Sequence, residues 1–570
     1  DGEKVGYMYR EEKVDDEDPT SPGNLKTILT WGDGTMISFN ENVSTHTWTS
    51  ETAGTYGSLT PSTSVSSPAS FYYKTKSQIT YQFDRFIAGK AIWVLSKVTD
   101  RNGNSISLTW AIVTSGGKSQ PRLNKVADQQ GRYLQFSYET GNPYKIKGVT
   151  AVTGSISRSV SFTYNADYSD LLSYTDPKGK ASTYIYADAA DPLNAHLLRQ
   201  IRLPKGNVVD NTYQSRKLVS TQMAGQYTTN VATTQNYTAG ATSDYTSANI
   251  STTRKGQTLT NTIMQDLLGN LKTAISPTGT LQLSYDNSSH PTKPTSFVNS
   301  TNGLSATPTY DGNGNVLSIT KTAGSTSITE SFTYNSFNDI LTYTNGRGNR
   351  TTFAYNGTGN LTSVTDPAGN TTTVIPNSNG TVQRSTNPEG IYTTFSYDNY
   401  GNTTQTSLMN AISSQATYDD ASRMIRSVNP NGVVTAMQYD NTDMVQSVTA
   451  DQGGLNNTVT YAYDDNDNLV AVTNPKGGIT SLTYNNYDQL TQYSFGGFTK
   501  SYSYNNDGTL NSFTSQNGNT FNNTYNTDGT LAGDGYATYT YNTSTKDLTG
   551  ISRNGKTIGF EYDALKRTTR

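Results

Sequence analysis

The residues that could do chemistry are few and scattered. The chain has three histidines, His46, His196 and His290, and no cysteine. No histidine has a metal-ligating partner at helical spacing, and no Gly-x-Ser-x-Gly elbow presents a nucleophile. They read as polar loop residues. Without cysteine there is neither a disulfide nor a thiolate metal site. Gly116-Gly-Lys-Ser119 matches the end of a phosphate loop, but the leading glycine would fall at Ile112, so it reads as a turn. Asp100-Arg-Asn-Gly-Asn104, Asp311-Gly-Asn-Gly-Asn315 and Asp464-Asp-Asn-Asp-Asn468 have the spacing that opens a calcium loop. The closing glutamate is absent, since Ala111, Thr322 and Pro475 stand there. Hairpin turns favour the same residues. Carboxylate pairs of the glycosidase kind arise by chance among so many acidic turns. The expectation is no catalytic residue, no cofactor and no metal.

The elements that would have to position any such group point the same way. At 570 residues the chain is too long for one ordinary domain, and at 33% hydrophobic it is too polar for one deep core. Only 15% is charged, which argues against a disordered chain. Thr, Asn, Ser and Gly fill the difference. Tyr, at 40 against 16 Phe and 4 Trp, suits a half-buried sheet surface, with its ring packed and its hydroxyl bonded. A net charge of −3 provides no basic field for nucleic acid or an anionic membrane. No apolar run approaches the roughly 20 residues of a membrane span; Ala91-Ile-Trp-Val-Leu95 is among the longest. The acidic run Glu11 to Asp18 reads as a solvated segment. The chain opens on Asp1 without a signal peptide, which reads as a mature form or a fragment.

A period organises the rest. Ile479 to Tyr484 reads as a strand with Thr480, Leu482 and Tyr484 on one face. Asn485 to Gln489 supplies turn residues, and Leu490 begins a return strand. The pattern recurs at Tyr334, Tyr355, Pro376, Tyr397, Tyr418, Tyr439, Tyr463, Tyr484, Tyr504, Tyr525, Tyr541 and Tyr562, mostly 20 or 21 residues apart. Less regularly it extends back through Tyr310, Tyr285, Met264, Tyr237, Tyr213, Tyr186, Tyr164 and Tyr138, with Trp110 a further candidate. Pro376 and Met264 keep the frame without the ring. A second turn precedes many strands, as in Thr175-Asp-Pro-Lys-Gly179, Thr386-Asn-Pro-Glu-Gly390 and Thr473-Asn-Pro-Lys-Gly477. Its Pro presets one turn position and its Gly accepts a positive φ. One such hairpin cannot offset an ordering cost of about 1–2 kcal/mol per residue, so the hairpins must stack.

Tyr463-Asp-Asp-Asn-Asp-Asn-Leu469, Tyr310-Asp-Gly-Asn-Gly-Asn-Val316 and Tyr397-Asp-Asn-Tyr-Gly-Asn402 resemble the YD repeat of Rhs proteins. The resemblance covers roughly residues 100–570. Thr30-Trp-Gly-Asp-Gly-Thr-Met-Ile-Ser-Phe39 and Val98-Thr-Asp-Arg-Asn-Gly-Asn104 are similar to segments that lead into Rhs cores. The family takes in polymorphic toxins, insecticidal toxin-complex components, wall-associated toxins and teneurins. What the resemblance implies is an all-β spiral of hairpins forming a hollow, barrel-like shell. In toxin members that shell encloses a C-terminal effector, and in teneurins the repeats serve adhesion. Many units depart from the pattern, with Asn for Asp at Tyr334, Tyr355 and Tyr484. The self-cleaving aspartyl site that commonly ends a toxin core is not found, and Arg570 falls within a repeat.

The expected plan is a β-rich lead-in region over 1–115, less regular hairpins over 116–310 and a regular array of about 21-residue repeats over 311–570. The leading functional expectation is a shell segment of a secreted or cell-surface bacterial protein. It would enclose and deliver a C-terminal toxin or effector that this chain does not contain. The second is an adhesin or filament subunit that binds cell-surface glycans or self-associates. The third is a carbohydrate-acting enzyme, which would need a deep pocket with convergent carboxylates.

Overall fold

The structure is a computed structural model. It describes residues 7–12, 25–31, 35–42, 44–52, 56–63, 68–87, 92–115, 117–186, 196–214, 217–223, 228–236, 245–254, 257–266, 269–276, 279–300, 303–505, 508–526, 528–543, 545–562 and 567–569. Most of the acidic run 11–18, and Tyr237, lie outside these residues. Among the described residues the fold is all-β, with no helix. From Ser58–Pro61 to Thr520–Asn522 each strand pairs antiparallel with the next, and a second sheet of five strands follows from Thr524–Tyr525 to Lys556–Gly559.

The large, fully buried side chains belong to the N-terminal strands. Leu29, Phe39, Phe71, Phe83, Trp93 and Leu95 pack with exposures of 1% or less. Trp93 belongs to the apolar run picked out in the sequence, which forms the strand Ile92–Thr99. Phe71 meets Trp93 edge-on at 5.0 Å and Trp48 at 5.4 Å. The two indole N–H groups are satisfied, by Pro68 O at 3.1 Å and Thr27 Oγ1 at 3.0 Å, as buried Trp requires. Trp110 belongs to this body too. It sits inside the strand Ser105–Ser115, packs against the same core and donates its indole N–H to Leu95 O at 2.7 Å.

Beyond it the ribbon is one sheet thick and its side chains are half-buried. Alternation sorts them onto two faces. One carries apolar and aromatic groups: Phe332 stacks on Tyr343 at 5.2 Å, and Phe513 on Phe521 at 4.8 Å. The other carries hydroxyls bonded across the strands: Thr309 to Ser318 and Thr333 to Thr342 at 2.7 Å, Thr320 to Thr329 at 2.9 Å. These pairs explain the Thr and Ser content: β-branched residues suit the pleat, and each hydroxyl finds its partner in the next strand.

Both edges of the ribbon use one five-residue loop. In Asn485–Gln489, Asn485 N–H bonds Gln489 O at 3.0 Å and Asp488 N–H bonds Asn485 O at 3.2 Å. The Pro-Gly turn 176–180 repeats this, with Asp176 N–H to Lys180 O at 2.9 Å and Gly179 N–H to Asp176 O at 3.0 Å. The first residue's side-chain oxygen closes the loop. Asp398 Oδ1 accepts the N–H of Tyr400 and of Asn402, both at 2.9 Å. Asn485 Oδ1 accepts the N–H of Tyr487 and of Gln489, at 2.9 and 3.1 Å. A carboxamide oxygen does this as well as a carboxylate oxygen, so Asn replaces Asp in this repeat. The same bonds occupy the carboxylates of the calcium-like sequences: Asp311 is filled by Asn313 and Asn315, and Asp464 by Asn466 and Asn468. Gly117, with φ 75°, precedes Lys118, which pairs with Ser115 where the phosphate-loop echo falls.

One repeat position shifts. The loop 266–270 is closed by Asp266 and Asn270 at 2.9 Å, and Gln265 pairs with Leu271 as Tyr397 pairs with Thr403. Gln265 therefore takes the strand-end place expected of Met264, and alternation puts Met264 on the opposite face. A mean period cannot resolve one residue in a strand as long as Gln257–Asp266. Pro376 does hold the strand end, paired with Val382.

Candidate functional site

At the Tyr-Asp edge the recurrent tyrosine ties each hairpin to the one before it. Tyr397 donates its hydroxyl to Val382 O at 2.8 Å, Tyr439 to Met424 O at 2.8 Å and Tyr484 to Leu469 O at 3.0 Å. Tyr138, Tyr164, Tyr213, Tyr310, Tyr334, Tyr355, Tyr418, Tyr463, Tyr504, Tyr525 and Tyr562 do the same. In most repeats the acceptor opens the preceding return strand, beside the β-bulge that follows each such tyrosine. Burial pushes the Tyr439 hydroxyl pKa up; Asp419 adds to this and Arg423 opposes it. The group stays protonated and keeps its role as donor. Pro376 has no hydroxyl, so the tie skips that step.

The second feature was not legible in the sequence. Turns at the Pro-Gly edge of residues 100–207 meet Tyr-Asp loops from far along the chain. Arg101 pairs with Asp339 at 2.8 Å, Arg158 with Asp443 at 2.6 Å, and Lys178 with Asp440 at 2.8 Å and Asp467 at 2.6 Å. Lys180 pairs with Asp465 at 2.6 Å and Lys205 with Asp464 at 2.8 Å. Further hydrogen bonds join them: Ser155 N–H and Oγ donate to the Asp420 carboxylate at 2.7 Å, and Asn360 donates to Asn102 at 2.8 Å. The Arg132 guanidinium lies 5.1 Å from the Tyr400 ring centre. His290, expected as a loop residue, is buried at 5% exposure and bonded through Nδ1 to Tyr56 Oη at 2.7 Å, 234 residues away. The ribbon therefore winds back onto itself, and cations of one turn of the spiral meet carboxylates of the next. Among the described strands, partners lie nineteen to twenty-five strands apart. At about 4.8 Å per strand that is a loop of roughly 90–120 Å, about 30–40 Å across if circular.

The seam explains the fourth loop position. Gly314, Gly359 and Gly380 have φ between 68° and 89°, and a Cβ would strike Tyr56 at 2.6 Å, Arg101 at 2.8 Å or Asn102 at 2.4 Å. Elsewhere this left-handed place holds Asn338, Ser422, Asp443, Asp467 or Asp488, with φ between 57° and 70°. Each reaches the seam: Asn338 bonds Lys76 O at 3.2 Å, Ser422 faces Arg132 at 3.4 Å, and Asp488 lies 3.8 Å from Lys205. At Gly314, Gly359 and Gly380 the earlier turn presses in, at Gly401 the space is open, and at the polar positions a side chain reaches across.

The remaining histidines are isolated: His46 bonds Glu41 at 2.9 Å and His196 bonds Asp170 at 3.1 Å. Among the described residues no group of three or more His, Asp or Glu is arranged to hold a metal ion, and no helix is long and apolar enough to cross a membrane. A cleft of about 460 Å³ on the apolar face is lined by Leu281, Phe297, Leu304 and Ile328 and bordered by Arg567. Glu330 in its lining is paired with Lys321 at 3.2 Å, not with a second carboxylate.

Fold and site together define a spiral of hairpin repeats, built for contact between its own turns. The family model of the teneurin YD-shell matches residues 271–457, and that of the RHS repeat matches residues 463–499. These matches support an Rhs/YD-repeat protein. No curated protein matches it. The crystal structure of TcdB2-TccC3-TEV is similar in fold, with a TM-score of 0.52 at 12% identity over 97% of this chain. That of TcdB2-TccC3 without its hypervariable C-terminal region matches at 0.48 and 12% over 98%. The chain spans 37% of the length of each.

Proposed function

We propose that this chain is a wall segment of a container: the shell of a secreted or cell-surface bacterial Rhs-type protein that encloses a C-terminal toxin or effector lying outside these residues. Its own residues do no catalysis in this reading. The plan is a lead-in body over 1–115, irregular hairpins over 116–310 and the regular wall over 311–570. The observation that carries it is the seam. A one-layer ribbon that winds round and bonds to its own earlier turn encircles space, and about 30–40 Å across is room for cargo and not for a packed core. Arg567 supports the same reading, since it borders a cleft on the apolar face formed some 240 to 290 residues earlier.

The test appends an unstructured, protease-sensitive peptide after Arg570. Enclosure predicts cleavage slowed by about 100-fold or more against the free peptide, because cutting must wait for the wall to open. Cleavage at the free-peptide rate, with the array intact by hydrogen exchange, would rule the container out.

A further inference from the structure

Among the described residues the seam joins one edge of the earlier spiral turn to one edge of the later. Pro-Gly turns of residues 100–207 meet Tyr-Asp loops of residues 335–488, and the Pro-Gly edge of that later turn then lies on the far side. This edge begins with the polar turns 345–349 and 366–370, which carry Arg347 and Asp366, and continues through six successive turns, 387–391, 408–412, 429–433, 451–456, 474–478 and 495–498. Each of these six presents an apolar side chain to solvent. Ile391, Ile412, Val433, Leu455, Ile479 and Phe498 are 39% to 79% exposed. The equivalent turns of the earlier edge carry Arg101, Arg132, Lys178, Lys180 and Lys205. The two edges are structurally equivalent and chemically unlike.

We propose that this apolar edge is a self-association surface, on which a second copy of this chain docks edge to edge about a two-fold axis. Charge excludes the seam's own kind of partner. A Tyr-Asp edge brings carboxylates that need cations, and in these six turns only Lys476 is basic, beside Glu389 and Asp451. Asp451 is spent within its loop, accepting the Leu455 N–H at 2.8 Å. Carboxylates laid over isoleucine and phenylalanine would lose water without gaining a partner. An identical apolar edge has no such mismatch. The exposed side chains at these tips amount to on the order of 800 Å² per copy, the contribution of one partner to a standard interface. Such a patch exceeds what monomers usually expose. Same-patch contact about a two-fold axis closes at two copies, whereas head-to-tail stacking grows without limit. The proposal concerns the edge alone and holds whether or not the ribbon carries cargo.

The test is sedimentation velocity of the full chain over a concentration series, at low and at high salt. The expected result is a reversible monomer–dimer equilibrium that salt does not weaken. Leu455→Asp with Phe498→Asp should weaken it by about 100-fold or more, as loss of central apolar contacts does. Both side chains lie at exposed tips, and unchanged circular dichroism would confirm the fold. Leu172→Asp, also at an exposed apolar residue but away from this edge, should leave the dimer unchanged. A chain monomeric at every concentration, a dimer that survives the double variant, a dimer equally lost in Leu172→Asp, or open-ended polymers would each overturn the proposal.

Discussion

The repeat is written around tyrosine, and not phenylalanine, because the hydroxyl has a receiver. In unit after unit it donates to a main-chain carbonyl of the preceding hairpin, at the edge where the strand has just been bulged. The ring supplies half-buried apolar area, and the hydroxyl fixes the spacing of successive loops. The two contributions can be separated at Tyr439, bonded to Met424 O at 2.8 Å with the Arg423 guanidinium 5.0 Å from the ring centre. Tyr439→Phe keeps the ring and should cost about 0.5–1.5 kcal/mol, the net value of one such bond. Tyr439→Ala loses the packing too, and at a half-buried site should cost on the order of 2–3 kcal/mol, below the range for a fully buried ring. Hydrogen exchange of the amides flanking residues 418–424 and 439–445 measures both locally, which suits a repeat array that need not unfold as one unit. If the Phe variant loses as much protection as the Ala variant, the hydroxyl tie is not what sets the residue.

At the scale of the element, the five-residue loop carries two roles at one position. Asp443 holds φ 70° at the position that glycine fills in other repeats, and it pairs with Arg158 at 2.6 Å and Arg423 at 3.1 Å. Asp443→Gly removes the left-handed penalty of roughly 1 kcal/mol and removes those pairs, which at a half-exposed site are worth about 0–1 kcal/mol. Salt screens only the second contribution. Relative to the parent, the variant should therefore protect turns 153–158 and 440–444 less well at low salt than at high salt, where it should be neutral or stabilising, read by hydrogen exchange. A destabilisation that does not change with salt would mean that Asp443 acts through something other than its charge. This position also marks the limit of what the sequence could show. Strand, loop and return strand were legible because Tyr, the Asp or Asn cap and the Gly recur at short range, where two-residue alternation and turn chemistry act. The register failed at Met264, where a long strand let the period drift by one residue. The Asp, Asn and Ser that replace glycine answer to contacts outside their own repeat. Their partners stand nineteen to twenty-five strands away, and no local pattern names them. The signal available was charge sorted by turn type, with Lys and Arg in the early Pro-Gly turns and Asp in the late Tyr-Asp loops.

At the scale of the whole molecule, the spiral is held by chemistry with a defined pH range. Burial works against the charge of Asp440, but Lys178 and the N–H groups of Thr442 and Met444 outweigh it and hold the carboxyl below its ordinary 3.8. Asp464 is likewise depressed: burial opposes its charge, and Lys205, Asn468 and Asn466 prevail. For Lys178 burial disfavours the ammonium, yet Asp440 and Asp467 lift it above 10.5. A carboxylate whose folded pKa is depressed contributes stability above its unfolded pKa and loses it as pH falls through the folded value. An ammonium whose folded pKa is raised contributes below its unfolded pKa and loses that as pH rises through the folded value. The seam should thus be closed from about pH 4 to about pH 10 and loosen on either side. Protection factors, which correct for the intrinsic pH dependence of exchange, should fall in turns 176–180 and 203–207 below about pH 4. They should hold steady over the same range in turn 429–433, which lacks charge and lies on the opposite edge. Lys178→Ala with Lys180→Ala should remove most of the acid response of turn 176–180, since Asp440, Asp467 and Asp465 would then have no ammonium there to hold. Equal loss of protection in 176–180 and 429–433 would mean that acid melts the hairpins themselves. The turns of the spiral would then be held by the sheet alone, not by the charges between them.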